Sequence, residues 1–173
     1  MNKALFLDRD GVINVDHIDV YKKEDFDFVD GIFEICLSAQ RLGYRIIVIT
    51  NQSGVARGVY TRSDVQAIHE YMRSEFLKKG IVITDVYTCM SHDDSDMCRK
   101  PNPGLLLQAC KDYSIDMQES IMVGDRERDI MAGRRAGCGK TILVSTEGVK
   151  EAASASTLAD VVVGSIPEIL NFL

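Results

Sequence analysis

The run KALFLDRDGV, residues 3–12, decides the reading of the chain. Residues 3–7 are a short apolar stretch that stops on two carboxylates, Asp8 and Asp10. In an open α/β sheet, ligands bind outside the carboxyl ends of the strands. A buried strand that ends on charged side chains is therefore the pattern of a site built on a sheet. Working outward, five more strands are predicted. Residues 44–50 (YRIIVIT) are rich in β-branched residues and suit a strand covered on both faces. Residues 82–88, 120–123, 141–144 and 160–163 follow.

Helical patterns separate them. Residues 31–42 repeat apolar side chains at Ile32, Ile35 and Leu42, with Gly43 as a C-cap. Residues 62–79 open on a Thr61/Asp64 capping box and carry Val65, Ile68, Met72 and Phe76 at helical spacing. Asn102 and Pro103 form an N-cap and first-turn pair for a helix reaching Tyr113. Residues 126–136 form another helix, stopped by Gly137, and residues 166–173 the last. Strand–helix alternation of this kind predicts an α/β fold with a doubly wound parallel sheet. The expected organisation is one domain over residues 1–173. Its two long irregular segments, 9–30 and 89–102, are too short for a separate cap domain, and loops of that length are usually functional.

Composition narrows the function classes. The 173 residues are 46% hydrophobic and 27% charged, which excludes a disordered chain and a small disulfide scaffold. No apolar run reaches the ~18 residues of a membrane helix, and Asp8 comes too early for a signal peptide. The expected compartment is the cytoplasm. Lys and Arg number 20 against 26 Asp and Glu, a net charge of −6. No nucleic-acid or membrane partner is expected of such a surface, and a monomer is the default. Of the five cysteines, all expected to be reduced, Cys36, Cys110 and Cys138 read as small core residues.

The chemistry collects at four strand ends: Asp8-Arg9-Asp10-Gly11-Val12, Thr50-Asn51-Gln52-Ser53-Gly54, Arg99-Lys100-Pro101, and Gly124-Asp125 with Asp129. Each piece has a plain structural reading. Asp125 can cap the helix that follows it, Thr50 can simply end a strand, and Lys100 can be a solvated loop charge. Together they combine hard carboxylate oxygens suited to Mg²⁺ with amides, hydroxyls and an ammonium suited to phosphate.

These four stretches resemble the motifs of the haloacid dehalogenase-like phosphohydrolases, a Rossmann-like core. Residues 8–17, 50–58 and 98–101 are further similar to the D-glycero-D-manno-heptose 1,7-bisphosphate phosphatases, and to the related histidinol-phosphate phosphatases. The resemblance spans residues 3 to about 145. It implies Mg²⁺-dependent hydrolysis of a small phosphorylated sugar through an aspartyl-phosphate. The favoured substrate is heptose 1,7-bisphosphate, cleaved at the 7-position, with histidinol phosphate as the alternative. A receiver-like phosphorylation switch is the remote alternative of another class. Asp8 would be the nucleophile and Asp10 the acid–base. Thr50 with Asn51, and Lys100, would stabilise the transferring group, while Asp129 would orient Lys100 or a metal-bound water. The metal would be held by Asp8, the Asp10 carbonyl and Asp125. Substrate contacts would come from Asp16, His17, Asp19, Asn51, Gln52, Ser53, Arg99 and Arg126, with Arg99 directed to the sugar or its second phosphate. The related phosphatases carry Gly-Tyr where this chain has Ile18-Asp19. They also carry a zinc loop, whose counterpart here keeps Cys89, His92 and Cys98 with Asp96 as a fourth ligand. The favoured reading is a shortened loop that holds no zinc, a structural zinc being the alternative.

Overall fold

Six strands form one parallel sheet: β1 (Lys3–Leu7), β2 (Tyr44–Asn51), β3 (Ile83–Cys89), β4 (Ile121–Gly124), β5 (Lys140–Val144) and β6 (Val161–Val163). Their order is β3-β2-β1-β4-β5-β6 in the computed structural model, which describes residues 1–145 and 157–173. The chain steps outward from β1 to β3, then returns to the opposite side of β1 to place β4. That reversal opens a crevice between the ends of β1 and β4.

Alternation along the strands builds two cores, because successive side chains point to opposite faces. Leu5, Leu7, Ile46, Val48 and Val123 pack with α1 (Ile32–Arg41), α2 (Arg62–Lys78) and a closing 3-10 segment (Ile166–Phe172). Ala4, Phe6, Ile47, Ile49 and Met122 pack with α3 (Gly104–Tyr113) and α4 (Glu127–Ala136). Both faces are covered, as a parallel sheet requires. The described residues form no cap-sized second unit, and none of their helices is long and apolar enough to cross a membrane.

Three expectations need correction. The final segment is a 3-10 turn, with Pro167 near its start, rather than an α-helix. Asn102 does not cap α3. Its side-chain amide donates instead to the carbonyls of Asp94 (2.9 Å) and Asp96 (3.0 Å), which closes the loop after β3. The cysteines are not all free thiols, because Cys89 and Cys98 are joined by a disulfide. The loop doubles back to the end of β3 and leaves their Cα atoms 5.3 Å apart, within bridging range.

Candidate active site

The carboxyl ends of the strands meet in one cleft of about 170 Å³. Asp8 and Asp10 enter it from the end of β1, Asn51, Gln52 and Ser53 from the end of β2, and Lys100 from the loop after β3. Arg126 enters from the residue before α4, and Asp16 and Asp19 from the long segment after β1. The volume is below that of pockets enclosing drug-sized ligands, so a ligand of that size would extend into the mouth.

Lys100 is buried, and its ammonium has three oxygen partners: Asp8 Oδ1 at 2.8 Å, Asp129 Oδ1 at 2.7 Å and the Ile49 carbonyl at 2.7 Å. Burial by itself would lower the Lys100 pKa, but the Asp129 and Asp8 charges outweigh it and hold the group above its ordinary value. Asn51 sets the backbone of this loop. Its Nδ2 donates to the Lys100 carbonyl and its Oδ1 accepts from the Lys100 amide, both at 3.1 Å. The loop is thereby pinned to the end of β2.

Asp8, Asp125 and Asp129 each bring an oxygen within 4.8 Å of the others. Burial, together with the Asp129 and Asp125 charges, raises the Asp8 pKa to about 7 despite Lys100. Burial and the Asp129 charge raise Asp125 to about 6. Asp125 Oδ1 is buried with no hydrogen-bond partner among the described residues. Crowded carboxylates with an orphaned oxygen fit a divalent cation, which would supply the missing partner and neutralise the cluster. Asp125 is not a cap: the Arg126 amide donates to Asp129 Oδ2 (3.1 Å), and α4 starts after it. Gly11 leaves room for this group, since a Cβ on it would collide with the Asp125 carboxyl, and its φ of 86° disfavours any side chain.

Asp10 sits on a buried polar network. Its Oδ1 accepts from Arg9 (2.9 and 3.3 Å) and Asn14 (3.0 Å), and its Oδ2 from Gln52 (2.8 Å). Burial pushes the Asp10 pKa up, but the Arg9 charge and these hydrogen bonds prevail and hold it below the ordinary value. Gln52 also donates to Thr50 Oγ1 (2.9 Å) and accepts from the Tyr60 hydroxyl (2.8 Å). Arg9 is fully buried. Its Nη2 also donates to the Val20 carbonyl (2.6 Å), and its Nη1 meets His69 Nε2 (3.2 Å). Burial first, and then the Arg9 charge, push the His69 pKa down from 6.5 to about 3.

A neutral imidazole in the folded chain titrates normally once unfolded, so its contribution is present above pH 6.5 and is lost as pH falls toward 3. Gln at this position keeps an acceptor for Arg9 but does not titrate. The stability of wild type relative to His69→Gln therefore shrinks on acidification, by at most about 1.4 kcal/mol per pH unit. Urea unfolding at pH 7 and pH 5 measures this, and parallel stabilities at the two pH values would rule it out.

Comparison with known proteins places the chain in one family. Residues 97–169 match a family model described as HAD-hydrolase-like. A D-glycero-alpha-D-manno-heptose-1,7-bisphosphate 7-phosphatase from Burkholderia mallei is 42% identical over 99% of this chain and 94% of its own length. A D-glycero-beta-D-manno-heptose-1,7-bisphosphate 7-phosphatase from Vibrio cholerae is 40% identical over 98% of this chain and 95% of its own length. The chain belongs to the haloacid dehalogenase-like phosphatases. Among solved structures, the D,D-heptose 1,7-bisphosphate phosphatase of B. bronchiseptica, complexed with magnesium and phosphate, superposes with a TM-score of 0.88. It is 29% identical and covers 98% of this chain and 97% of its own.

This phosphatase departs from the sequence expectations at several site residues. His17 is outside the cleft lining, with Nε2 at 2.9 Å from Asp27 Oδ2. Arg99 is also outside it. Its Nε donates to Asp94 Oδ1 (2.8 Å) and its Nη1 to the Ser91 carbonyl (3.2 Å), because the loop supplies acceptors closer than the cleft. Thr50 is buried beneath the cleft, its hydroxyl engaged by Gln52. Asp16 and Asp19 do line it, each held by an arginine, Arg126 and Arg57 respectively. Asp96 lies with Cys89 and Cys98, and His92 does not. With the two sulfurs bonded to each other the loop presents no pair of thiolates; reduced, Cys89 and Cys98 with Asp96 would bring three donors within 4.8 Å of one another, the donor types a zinc ion takes.

Sequence reasoning passed over Arg9, Tyr60, Ile18 and Arg128 as site residues. Arg128 had a legible signal. It falls in the charged run 124–129 at the end of β4, in the first turn of α4.

Proposed function

We propose that this protein is a Mg²⁺-dependent phosphatase that removes the 7-phosphate of D-glycero-D-manno-heptose 1,7-bisphosphate through an aspartyl-phosphate on Asp8. The observation that carries the reading is the cluster in the cleft: Asp8 on the Lys100 ammonium at 2.8 Å, beside Asp125 with its orphaned oxygen. The names of the relatives supply the substrate.

Asp8 Oδ1 is held by Lys100 and by the Arg9 amide (2.8 Å), which leaves Oδ2 to attack phosphorus. The new Oδ2–P bond forms as the bond from phosphorus to the sugar oxygen breaks, and Asp10 delivers a proton to that oxygen. Asp10 is ionised in the free protein. An incoming phosphate dianion raises its pKa and lets it take up the proton it must give. Asp10 then takes a proton from the water that cleaves the aspartyl-phosphate, restoring Asp8 and releasing phosphate. Lys100 stabilises charge on the transferring group. Asp8, the Asp10 carbonyl and Asp125 would hold the Mg²⁺, which supplies neutralising charge to the phosphoryl oxygens and keeps Asp8 close to an anion.

A phosphate-release assay over both anomers of heptose 1,7-bisphosphate and over histidinol phosphate, with Mg²⁺ or with a chelator, tests this. Magnesium-dependent release fastest from a heptose bisphosphate is expected, and the anomers rank each other. Faster turnover of histidinol phosphate overturns the substrate. A long-lived phosphorylated Asp8 without release overturns the hydrolase reading in favour of a switch.

A further inference from the structure

We propose that Tyr60 is a positioning residue for the acid–base step: its hydroxyl fixes the orientation of the Gln52 carboxamide, and Gln52 in turn keeps Asp10 Oδ2 free to hand its proton to the leaving oxygen. The inference rests on the acid–base role of Asp10 proposed above and adds the group that holds it ready.

The two oxygens of Asp10 are not equivalent. Oδ1 accepts from Arg9 Nη2 (2.9 Å), Arg9 Nε (3.3 Å) and Asn14 Nδ2 (3.0 Å), which fills it. Oδ2 has one partner among the described residues, Gln52 Nε2 at 2.8 Å. Asp10 lines the cleft, so Oδ2 is the oxygen left to carry a proton to substrate. The face that Gln52 shows it decides where that proton goes. A carboxamide rotated by half a turn keeps its shape but exchanges donor for acceptor. With Nε2 against Oδ2, the Asp10 proton can point only away from Gln52. With Oε1 there instead, Gln52 would accept the proton and withhold it from the leaving oxygen.

Thr50 does not settle the orientation, since its hydroxyl, 2.9 Å from Gln52 Nε2, can donate or accept. Tyr60 settles it. The Tyr60 hydroxyl donates to Gln52 Oε1 at 2.8 Å, which leaves Nε2 for Asp10 and Thr50. Burial raises the Tyr60 pKa above its ordinary value, so the hydroxyl keeps its hydrogen, while its oxygen receives the Gly54 amide. The ring is held on several sides. It stacks on Tyr21, with centroids 5.1 Å apart and planes at 23°. Gly54 lies against its hydroxyl edge, where a Cβ would collide with Cε1, Cζ and Oη. The Val59 amide donates to the Gly54 carbonyl (2.8 Å) and closes the turn between them, and the next residue, Thr61, opens the capping box of α2.

The test uses the full chain with Mg²⁺ and two esters: heptose 1,7-bisphosphate, whose sugar oxygen needs a proton to leave, and p-nitrophenyl phosphate, whose phenolate leaves without one. Single-turnover quench measures formation of the aspartyl-phosphate from each. Asp10→Asn sets the reference, a loss on the sugar ester that spares the aryl ester. Tyr60→Phe removes one oxygen from a ring that keeps its stacking. It is expected to lose about 3- to 10-fold on the sugar ester, in kcat rather than KM, with the aryl ester unchanged. Gln52→Met should show the same selective loss, and adding Tyr60→Phe to it should cost nothing more, because Tyr60 acts through Gln52. Thermal melts report whether each variant folds, and if Gln52→Met does not, the selectivity of Tyr60→Phe decides alone. An unchanged sugar-ester rate in Tyr60→Phe, equal losses on the two esters, or losses that multiply in the double variant overturn the role of Tyr60 and leave that of Asp10 standing. An Asp10→Asn variant that loses both esters equally, or neither, overturns the acid–base reading and this inference with it.

Discussion

Asp8→Asn should abolish phosphate release, by on the order of 10⁴-fold or more, while leaving the fold intact. The amide keeps the shape of the side chain and can still meet the Arg9 amide through its oxygen, but it is not a nucleophile toward phosphorus. Stability should not suffer, because the ionised carboxylate is a burden on the metal-free fold. Its pKa is raised from 3.8 to about 7, mainly by burial and by the Asp129 charge. A carboxylate whose folded pKa is raised costs stability progressively as pH climbs from about 4 to 7. Without divalent cation, the variant should therefore gain on wild type across that window. Single-turnover phosphate release and thermal melts from pH 4.5 to 7.5, in chelator, measure the two effects. Magnesium-dependent release that survives in the variant would remove Asp8 from the nucleophile role.

Lys100→Met should be the costliest single change to the fold. It removes the cation shared by Asp8 and the fully buried Asp129, leaving a buried negative charge uncompensated. Breaking one side of a buried pair costs about 3–5 kcal/mol, a large share of the stability of a domain this size. Phosphate release should fall by at least about 10²–10³-fold, as it does when a group that stabilises transition-state charge is removed. The double variant Lys100→Met/Asp129→Asn separates the two effects. It should regain much of the stability, since the orphaned charge is gone, and none of the activity. Urea unfolding checks the first and phosphate release the second. A single variant as stable as wild type would show that the ammonium does not carry Asp129.

The strands were the legible part, for a local reason. Residues 46–50 are buried on both faces, so nothing but apolar and β-branched side chains suits them, and their run shows directly in the sequence. The α2 cap was legible too, because Thr61 and Asp64 satisfy each other within one turn. Asn102 was misleading. It has the chemistry of a cap, but tertiary folding put the Asp94 and Asp96 carbonyls within its reach. His17 and Arg99 misled in the same way, since each found a carboxylate, Asp27 and Asp94, on its own side of the loop.

By itself the sequence determined the alternation of strand and helix, the doubly wound sheet, and the four strand ends that carry the chemistry. Those follow from hydrophobic period and from short-range turn and cap chemistry, which act over a few residues. Only the tertiary structure decided which charged groups share a partner. Lys100 rather than solvent neutralises Asp129, Arg9 rather than substrate orients Asp10, and Cys89 meets Cys98 as a disulfide. Electrostatic pairing depends on distance and burial in three dimensions, and neither quantity is written in the spacing of residues along the chain.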